Sequence, residues 1–146
     1  MNKNKKIKKI LGVAESFIGK PYKYGAYLGN QNNYKEFDCS SLIQSIYEKI
    51  GVNLPGSSVL QATKGREVKN IKNLKPGDLI FFEGTKGHYW HKKFKGKKIY
   101  IGHVALYVGD GKIIDAEEDR GDVNKLELKS LIARKFYNIV LIKRIL

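Results

Sequence analysis

Residues 36–51 read EFDCSSLIQSIYEKIG and contain Cys39, the single cysteine of the chain. Asp38 is a favourable N-cap residue, and Gly51 stands where a helix-ending glycine is expected. Between them, apolar residues recur with the spacing of one helix face: Leu42, Ile43, Ile46, Tyr47 and Ile50. The stretch therefore predicts a helix that carries Cys39 in its first turn.

The thiol of Cys39 would lie at the positive end of this helix. Unpaired backbone N–H groups and the helix dipole favour an anion there, and the thiolate is the reactive form of cysteine. A small buried side chain is nevertheless the commoner fate of a free cysteine. Because one cysteine cannot form an internal disulfide, a nucleophile, a metal ligand, an intermolecular cross-link and a core residue all stay open.

The composition indicates one globular domain. The chain has 146 residues, of which 42% are hydrophobic and 29% charged, so it has enough apolar material for one core and is not a disordered chain. No internal repeat, linker or low-complexity block divides it. We therefore interpret residues 1–146 as a single domain.

The net charge of +14 and the pI near 9.8 imply attraction to polyanions. The candidates are nucleic acid, anionic lipid and the phosphate-bearing polymers of a bacterial wall. Two basic stretches, NKNKKIKK at 2–9 and HKKFKGKK at 91–98, would contribute to such a surface. Charge alone does not choose among these partners.

The N-terminal stretch MNKNKKIKKILGVAESFIGKPY begins like an export signal but does not continue as one. Its apolar run is short, Glu15 interrupts it, and no small-residue cleavage site follows. No segment reaches the ~20 apolar residues that span a bilayer. We expect a cytoplasmic protein, or one that reaches the wall by lysis, a secretion machine or a phage particle.

Helical spacing predicts an amphipathic first helix that ends at Gly19 and Pro21. Its apolar face comprises Ile7, Ile10, Leu11, Ala14 and Ile18.

Strand patterns dominate the second half of the chain. LKPGDLIFFEG at 74–84 predicts a turn and a short apolar strand, and a last strand is predicted from about Ile139. Residues 125–138 predict a short helix or loop, and another short helix should start near Ser57 or Ser58. Helices first and strands later favour an α+β domain, with helices packed on an antiparallel sheet.

IYIGHVALYVGDGKIIDAEE at 99–118 predicts a β-hairpin. A three-residue turn at 109–111, with glycine supplying the positive φ, would pair Val108 with Lys112. The length of this turn decides which face each residue of the second strand occupies, because side chains alternate along a strand.

With the three-residue turn, Ala105 pairs with Asp115, and Asp115 shares a face with His103. A two-residue turn would move Asp115 to the opposite face. A strand-borne imidazole is a rigidly held base for a cysteine nucleophile, and a carboxylate beside it would fix its tautomer. The alternatives are a core histidine and an ordinary strand-end carboxylate.

Five blocks of sequence together resemble the NlpC/P60 cysteine peptidases. They match the family's aromatic loop, its Asp-Cys-Ser-Gly helix start, its Leu-Pro and Gln segment, its Pro-Gly-Asp-Leu strand and its histidine-bearing hairpin. The blocks are GKPYKYGA (19–26), FDCSSLIQSIY (37–47), LPGSSVLQAT (54–63), LKPGDLIFFEG (74–84) and GHVALYVGDGKIIDA (102–116). They occur in family order, and the resemblance spans residues 5 to about 145.

The resemblance implies a papain-like α+β domain that hydrolyses amide bonds in peptidoglycan stem peptides or muropeptides. The usual bond is the one following D-glutamate in the γ-linked stem. By position, Cys39 is the implied nucleophile and His103 the implied base. Asp115 occupies the place of the third polar residue, which in the family is usually His.

Further oxyanion or substrate-binding candidates surround these three residues. Tyr22 matches a tyrosine that lines the family's site near the nucleophile, and the backbone N–H of Ser40 would help to hold the oxyanion. We add Asp38, Ser41 and Trp90 to this group.

Three features depart from the family pattern. Asp115 replaces His, and a carboxylate should favour the imidazolium more strongly. Ser41 replaces the usual Gly after Cys-Ser and would crowd the helix start. The loop from Gly84 to Lys98, which includes Trp90, is longer and more basic than usual. It would hold an anionic wall polymer, restrict substrate access or form a solvated hairpin tip.

Other functions stay open at this point. Lysines with nearby aromatic residues suit nucleic acid, but the signature of a dedicated nucleic-acid fold is missing, so nucleic acid is the less favoured primary partner. A zinc site would have one local ligand pair, His88 and His91, and we expect neither a metal nor another cofactor. A papain-like acyltransferase or amidase with a non-wall substrate would keep the fold and change the chemistry.

Overall fold

The computed structural model describes residues 1–84, 92–94 and 99–146. Its α-helices are α1 (Lys3–Ser16), α2 (Cys39–Glu48), α3 (Ser58–Gln61) and α4 (Leu128–Ile132). Its strands are β1 (Arg66–Glu67), β2 (Leu79–Phe82), β3 (His103–Gly109), β4 (Lys112–Glu117), β5 (Asp122–Glu127) and β6 (Ile139–Arg144). Short 3-10 helices occupy Gly29–Gln31, Ile71–Asn73 and Lys92–Phe94. The predicted α+β class is confirmed.

The strands form one antiparallel sheet in the order β1-β6-β2-β3-β4-β5. The last strand, β6, inserts between β1 and β2, so the C-terminal part of the chain is bonded into the sheet interior. Strands β3 and β4 lie side by side near the middle of the sheet, and they carry the predicted base and its carboxylate. Strands at the centre are held by hydrogen bonds on both sides, which makes this a rigid platform for a site.

Helix α1 begins at its N-cap Asn2, whose side chain accepts a hydrogen bond of 2.9 Å from the N–H of Lys5. The helix buries Ile10 and Ala14 and exposes its lysines, as an amphipathic helix should. The prediction that Ile18 completes this face is wrong. The helix ends at Ser16, and Phe17 fills the core while Ile18 is 37% exposed. None of the described helices combines the length and apolar character needed to cross a membrane.

The sheet separates two apolar clusters, because alternate residues of each strand face opposite sides. On one side, α1 and α2 pack on Leu79 and Phe81 of β2 and on Val104 and Leu106 of β3. On the other side, Leu128 and Leu131 of α4 pack with Ile80, Phe82, Ala105 and Tyr137. His103 lies two residues before Ala105, so its side chain is on the same face of the sheet. Because His103 is the first residue of β3, it lies at the end of that strand.

The β3–β4 hairpin differs from its prediction at the turn. Gly109, not Val108, pairs with Lys112, so the turn itself contains the two residues Asp110 and Gly111, both at positive φ. A bulge between Tyr107 and Gly109 then shifts the register by one residue. The pairs beyond the bulge, Leu106 with Ile114 and Tyr107 with Ile113, have the predicted parity. A two-residue turn plus one bulged residue is equivalent in register to the predicted three-residue turn.

Strand β5 was not predicted. Its sequence DVNKLE is mostly polar, and Val123 is its one buried residue. The strand lies at the edge of the sheet, where one side faces solvent and charged residues limit unwanted pairing, so the alternation that marks a strand is weak. The range predicted as a short helix or loop contains α4, but its first three residues belong to β5; the last strand begins at Ile139 as predicted.

Candidate active site

Cys39 is the first residue of α2, as the sequence predicts. The carboxylate of Asp38 accepts a 2.7 Å hydrogen bond from the N–H of Ser41. In return, the Ser41 hydroxyl oxygen accepts a 3.0 Å hydrogen bond from the N–H of Asp38. This reciprocal pair is a capping box, so Ser41 completes the cap instead of crowding the helix start. With the N–H of Ser41 used by the cap, the N–H groups of Cys39 and Ser40 remain as the first-turn donors beside the sulfur.

Replacing Asp38 by alanine is expected to lower the free energy of unfolding by about 1 kcal/mol, because the N–H of Ser41 loses its acceptor. Urea unfolding followed by circular dichroism measures the loss. Asp38→Asn is the matched control, since asparagine caps helices about as well as aspartate. A loss in the asparagine variant as large as in the alanine variant would assign the effect to charge and not to the cap.

His103 presents its imidazole at the start of β3. Its Nε2 lies 2.8 Å from Oδ2 of Asp115 on the neighbouring strand, so the two side chains share a face as predicted. The histidine is 5% exposed and Asp115 is completely buried. Phe82 and Tyr137 pack against the ring at centroid distances of 5.7 and 5.5 Å. The imidazole is therefore fixed in position by packing and by one strong hydrogen bond.

Cys39 and His103 line the same groove, and Nε2 of His103 is bonded to Asp115, so Nδ1 is the ring nitrogen that can serve the sulfur. Burial lowers the pKa of His103, but hydrogen bonds to Asp115 and Cys39, with the charges of both groups, outweigh burial and raise it from 6.5 to about 10. The charged imidazolium is thus the favoured form at neutral pH. Cys39 is partly exposed, so its sulfur is open to a reactant.

Asp115 contacts a second cation. Its Oδ1 accepts from Nη2 of Arg120, in the turn that follows β4, while its Oδ2 faces His103. Burial raises the pKa of Asp115, but hydrogen bonding to His103 and the charges of His103 and Arg120 hold that pKa below its ordinary value. A fully buried carboxylate is stable here because each of its oxygens has a cationic partner.

Stability should fall as the pH rises from about 6.5 to about 10. The pKa of His103 is raised on folding, so its contribution is fully present below 6.5 and is lost as the pH rises through the folded value of about 10. Urea unfolding at pH 6, 8 and 10 would measure this. We expect the stability difference between wild type and His103→Gln to shrink over that range, and a difference that grows with pH would contradict the assignment.

A groove of about 470 Å³ opens over the sulfur and the imidazole. Its walls come from the tyrosine-rich loop before α2, the start of α2, the loop before α3 and the end of β4. Tyr22, placed by a bridge to Phe37, lines it. Burial, followed by the nearby Cys39, Asp38 and Glu118, raises the pKa of Tyr22, so its hydroxyl stays protonated as a hydrogen-bond donor.

The groove is locally acidic although the protein is strongly basic. Asp38, Glu117 and Glu118 line it, and among the described lining residues there is no lysine or arginine. Of these carboxylates, that of Glu117 is ion-paired with Arg134 at 3.0 Å.

One groove wall is attached to α2 by side-chain hydrogen bonds. The amide of Gln61 donates to the carbonyl oxygens of Ser40 (3.0 Å) and Pro55 (2.9 Å). The hydroxyl of Ser40 also donates to the carbonyl of Gly56 at 3.0 Å. Since Gly56 lines the groove, these bonds fix the distance between that wall and Cys39.

The structure brings most of the predicted site residues together. His103 is hydrogen-bonded to Asp115, and Cys39, His103, Tyr22, Asp38 and Ser40 line the same groove. Ser41 lies in the helix cap and not at the groove. Trp90, His88 and His91 lie outside the described residues. In the part of the chain that is described, no group of three or more His, Cys, Asp or Glu side chains could hold a metal ion.

Two residues that contact the site are not among the residues predicted from the sequence. Arg120 contacts Asp115, and Tyr137 packs its ring edge against His103. Arg120 follows Asp115 by five residues in the charged run EEDRG, and that short separation across a turn was the available signal. Tyr137 is 34 positions after His103 and has no pattern that connects the two, so only folding reveals their contact.

Fold and site together define a class of protein: an α+β domain in which a helix-borne cysteine meets a strand-borne histidine in an open groove. Comparison with known families agrees with this. The model of the NlpC/P60 family matches residues 19–141. The chain belongs to the NlpC/P60 family.

Three curated relatives are 31% to 35% identical to this chain over the aligned residues. Gamma-DL-glutamyl hydrolase of Bacillus subtilis is 35% identical over 114 residues, which are 77% of this chain and 24% of that protein. Gamma-D-glutamyl-L-lysine dipeptidyl-peptidase of the same organism is 32% identical over 126 residues, 86% and 37% of the two chains. The probable endopeptidase p60 of Listeria monocytogenes is 31% identical over 110 residues, 75% and 19%. The chain thus spans well under half the length of these relatives.

Solved structures of the family have the same fold. An NlpC/P60 family protein from Bacillus cereus superposes with a TM-score of 0.74 and 26% identity, covering 96% of this chain and 40% of that one. The peptidoglycan hydrolase RipB from Mycobacterium tuberculosis gives a TM-score of 0.70 and 26% identity, covering 98% and 66%.

Proposed function

We propose that residues 1–146 form a single catalytic domain, a cysteine peptidase that hydrolyses amide bonds in the stem peptides of bacterial peptidoglycan. The observation that carries this proposal is that Cys39 and His103, which is hydrogen-bonded to Asp115, line one open groove. Membership of the NlpC/P60 family and the activities for which its relatives are named support the substrate class.

In the first half of the reaction, the Cys39 thiolate attacks the carbonyl carbon of the substrate amide. The carbonyl oxygen becomes an oxyanion, and the first-turn N–H groups of α2 are the donors assigned to stabilise it. The imidazolium of His103 gives its proton to the leaving nitrogen. The carbon–nitrogen bond breaks, the amine leaves, and the acyl group stays on sulfur as a thioester.

In the second half, neutral His103 takes a proton from a water molecule, and the resulting hydroxide attacks the thioester. The carbon–sulfur bond breaks, the acid product leaves and the thiolate–imidazolium pair is restored. Asp115 keeps Nε2 of the imidazole engaged throughout, so the other nitrogen always faces the sulfur. The role of Asp115 is to hold the ring and stabilise its charged form.

The proposed bond is the one that follows D-glutamate in the γ-linked stem. The names of two relatives, a gamma-DL-glutamyl hydrolase and a gamma-D-glutamyl-L-lysine dipeptidyl-peptidase, support this choice. The acidic groove is compatible with a substrate segment that bears an amine, because Asp38 and Glu118 lie on its walls.

Digestion of purified peptidoglycan and of soluble muropeptides, with the products weighed by mass spectrometry, tests the proposal. Cleavage after D-glutamate adds one water molecule per bond and releases a fragment that ends in D-glutamate with a free γ-carboxyl group. Products heavier by an added amine instead of water would identify acyl transfer. Intact substrates after prolonged incubation with folded protein would refute the peptidase assignment.

A further inference from the structure

Asp115 is a carboxylate shared between two cations. Its Oδ2 faces Nε2 of His103 at 2.8 Å, and its Oδ1 is contacted by Nη2 of Arg120. A carboxylate held by one oxygen can rotate about its terminal torsion. Because both oxygens of Asp115 are engaged, the plane of the carboxylate and therefore the direction of the bond to His103 are fixed.

Arg120 is itself held in place at the β4–β5 turn. Its backbone N–H donates to Oε2 of Glu117 at 3.2 Å, and its Nη1 lies 3.7 Å from the same oxygen. Its Nη2 also contacts the backbone carbonyl of Asp115 at 3.4 Å. The side chain of Arg120 is 21% exposed, so the guanidinium is mostly withdrawn from water. Arg120 is not among the residues that line the groove.

We propose that Arg120 is a positioning residue of the reaction, which orients the Asp115 carboxylate and balances the charge of the site. The inference rests on the proposed roles of Cys39 and His103. With a thiolate on Cys39 and an imidazolium on His103, the connected groups carry two negative and two positive charges. Without Arg120, the same buried groups would carry one uncompensated negative charge.

An uncompensated negative charge in a poorly hydrated site makes every proton nearby harder to remove. Loss of Arg120 should therefore move the titration of the whole site to higher pH. It should also slow turnover, because Asp115 can rotate away from His103. Substrate binding should change little, since Arg120 does not line the groove.

Other ionisable groups face the site and must stay constant in the test. Tyr137 packs against His103 from the segment before β6, and Glu117 lies between Arg120 and Arg134. On the groove side, the ionisable groups that line the groove with Cys39 are Tyr22, Tyr24, Asp38 and Glu118. The Asp115 oxygens are contacted by His103 and Arg120. Because Arg120 also contacts Glu117, the test needs a control for the loss of an arginine charge.

The test is Arg120→Gln, which removes the charge and keeps a hydrogen-bonding side chain. The rate of Cys39 alkylation by iodoacetamide is measured from pH 4 to 10, together with kcat and KM on muropeptide. We expect the pH at the midpoint of the alkylation curve to rise by about one unit. Arg120 acts on the site through one intervening residue, Asp115, and loss of a charge at that separation has an effect of this order. We expect kcat to fall about tenfold with KM unchanged, the loss typical of a misplaced supporting group.

Arg144→Gln is the matched control. Arg144 bonds the buried carboxylate of Asp78 at 2.7 and 2.8 Å, so this variant loses a comparable ion pair and the same net charge away from the groove. It should lose stability without moving the alkylation midpoint. An equal shift in Arg144→Gln would show a general charge effect and overturn the proposal, as would a folded Arg120→Gln with a wild-type midpoint.

Arg120→Lys separates charge from geometry. Lysine keeps the charge, so the midpoint should stay within about 0.3 pH unit of wild type while kcat falls severalfold. If Arg120→Gln does not fold, this variant decides: kcat, KM and midpoint all equal to wild type would overturn the positioning role. The alkylation measurement needs no peptidoglycan, so it separates the two proposals. If the wild type does not cleave stem peptides but Arg120→Gln still raises the alkylation midpoint, the role of Arg120 is supported and the proposed substrate is refuted.

Discussion

Replacement of Cys39 by alanine is expected to abolish peptidoglycan cleavage and to leave the fold intact. No other cysteine exists in the chain, so no second thiol can replace the nucleophile. Removal of a nucleophile typically costs about 10⁴-fold or more in kcat, and the residual rate comes from binding and oxyanion stabilisation alone. Product masses from muropeptide digestion measure the loss.

The fold should tolerate this change for local reasons. Alanine is the most favourable residue in a helix, and the cap of α2 depends on Asp38 and Ser41, not on the sulfur. Urea unfolding should therefore give a stability close to that of wild type. Cys39→Ser is a second, nearly isosteric variant, and it should also be inactive because a serine hydroxyl here lacks the acidity of a thiol. Turnover by a pure alanine variant within tenfold of wild type would remove Cys39 from the mechanism.

Asp115→Asn is expected to impair both stability and turnover. The amide keeps the shape of the side chain but removes the negative charge that Arg120 and the His103 imidazolium share. Leaving buried cations without their partner typically costs about 3–5 kcal/mol of unfolding free energy. We further expect kcat to fall about 10²- to 10⁴-fold, because His103 loses its orienting carboxylate.

The stability loss in Asp115→Asn should depend on pH with a defined sign. Folding lowers the pKa of Asp115, so its contribution is present above the ordinary value of 3.8 and is lost as the pH falls below that value. Wild type and variant should therefore converge in acid, as urea unfolding between pH 3 and 7 would measure. A gap that widens in acid would contradict an ionised Asp115.

Asp78→Asn is the matched control for Asp115→Asn. Asp78 is also buried and bonds an arginine, Arg144, but at the opposite end of β2 from the groove. Its loss should destabilise the protein to a similar degree while leaving kcat near the wild-type value. If both variants lost turnover equally, the effect of Asp115 would come from instability and not from its contact with His103.

The helix that carries Cys39 could be predicted because its determinants are local. Asp38, the apolar spacing of Leu42 to Ile50 and Gly51 all lie within sixteen residues, and α2 begins at Cys39 as they require. At position 41 the sequence shows only that serine is bulkier than the glycine usual in the family. Its hydroxyl in the capping box depends on a rotamer and on the orientation of the chain before the helix, which sequence spacing does not specify.

The hairpin could be predicted in register but not in detail. Asp115 shares a face with His103 because the hydrophobic parity of β3 and β4 fixes the pairing. The choice between a three-residue turn and a two-residue turn with a bulge has the same consequence for parity, so parity could not distinguish them. Strand β5 was missed for a related reason, since an edge strand exposed to solvent has no strong alternation to detect.

The sequence by itself determined a basic α+β domain, a cysteine at a helix start and a histidine and aspartate on neighbouring strands. These features depend on capping, periodicity and strand parity, which act over a few residues. Only the tertiary structure decided that Arg120 shares the Asp115 carboxylate, that Tyr137 supports His103 and that the groove is acidic in a basic protein. These contacts join segments whose meeting depends on the packing of the whole chain, and no local pattern encodes them.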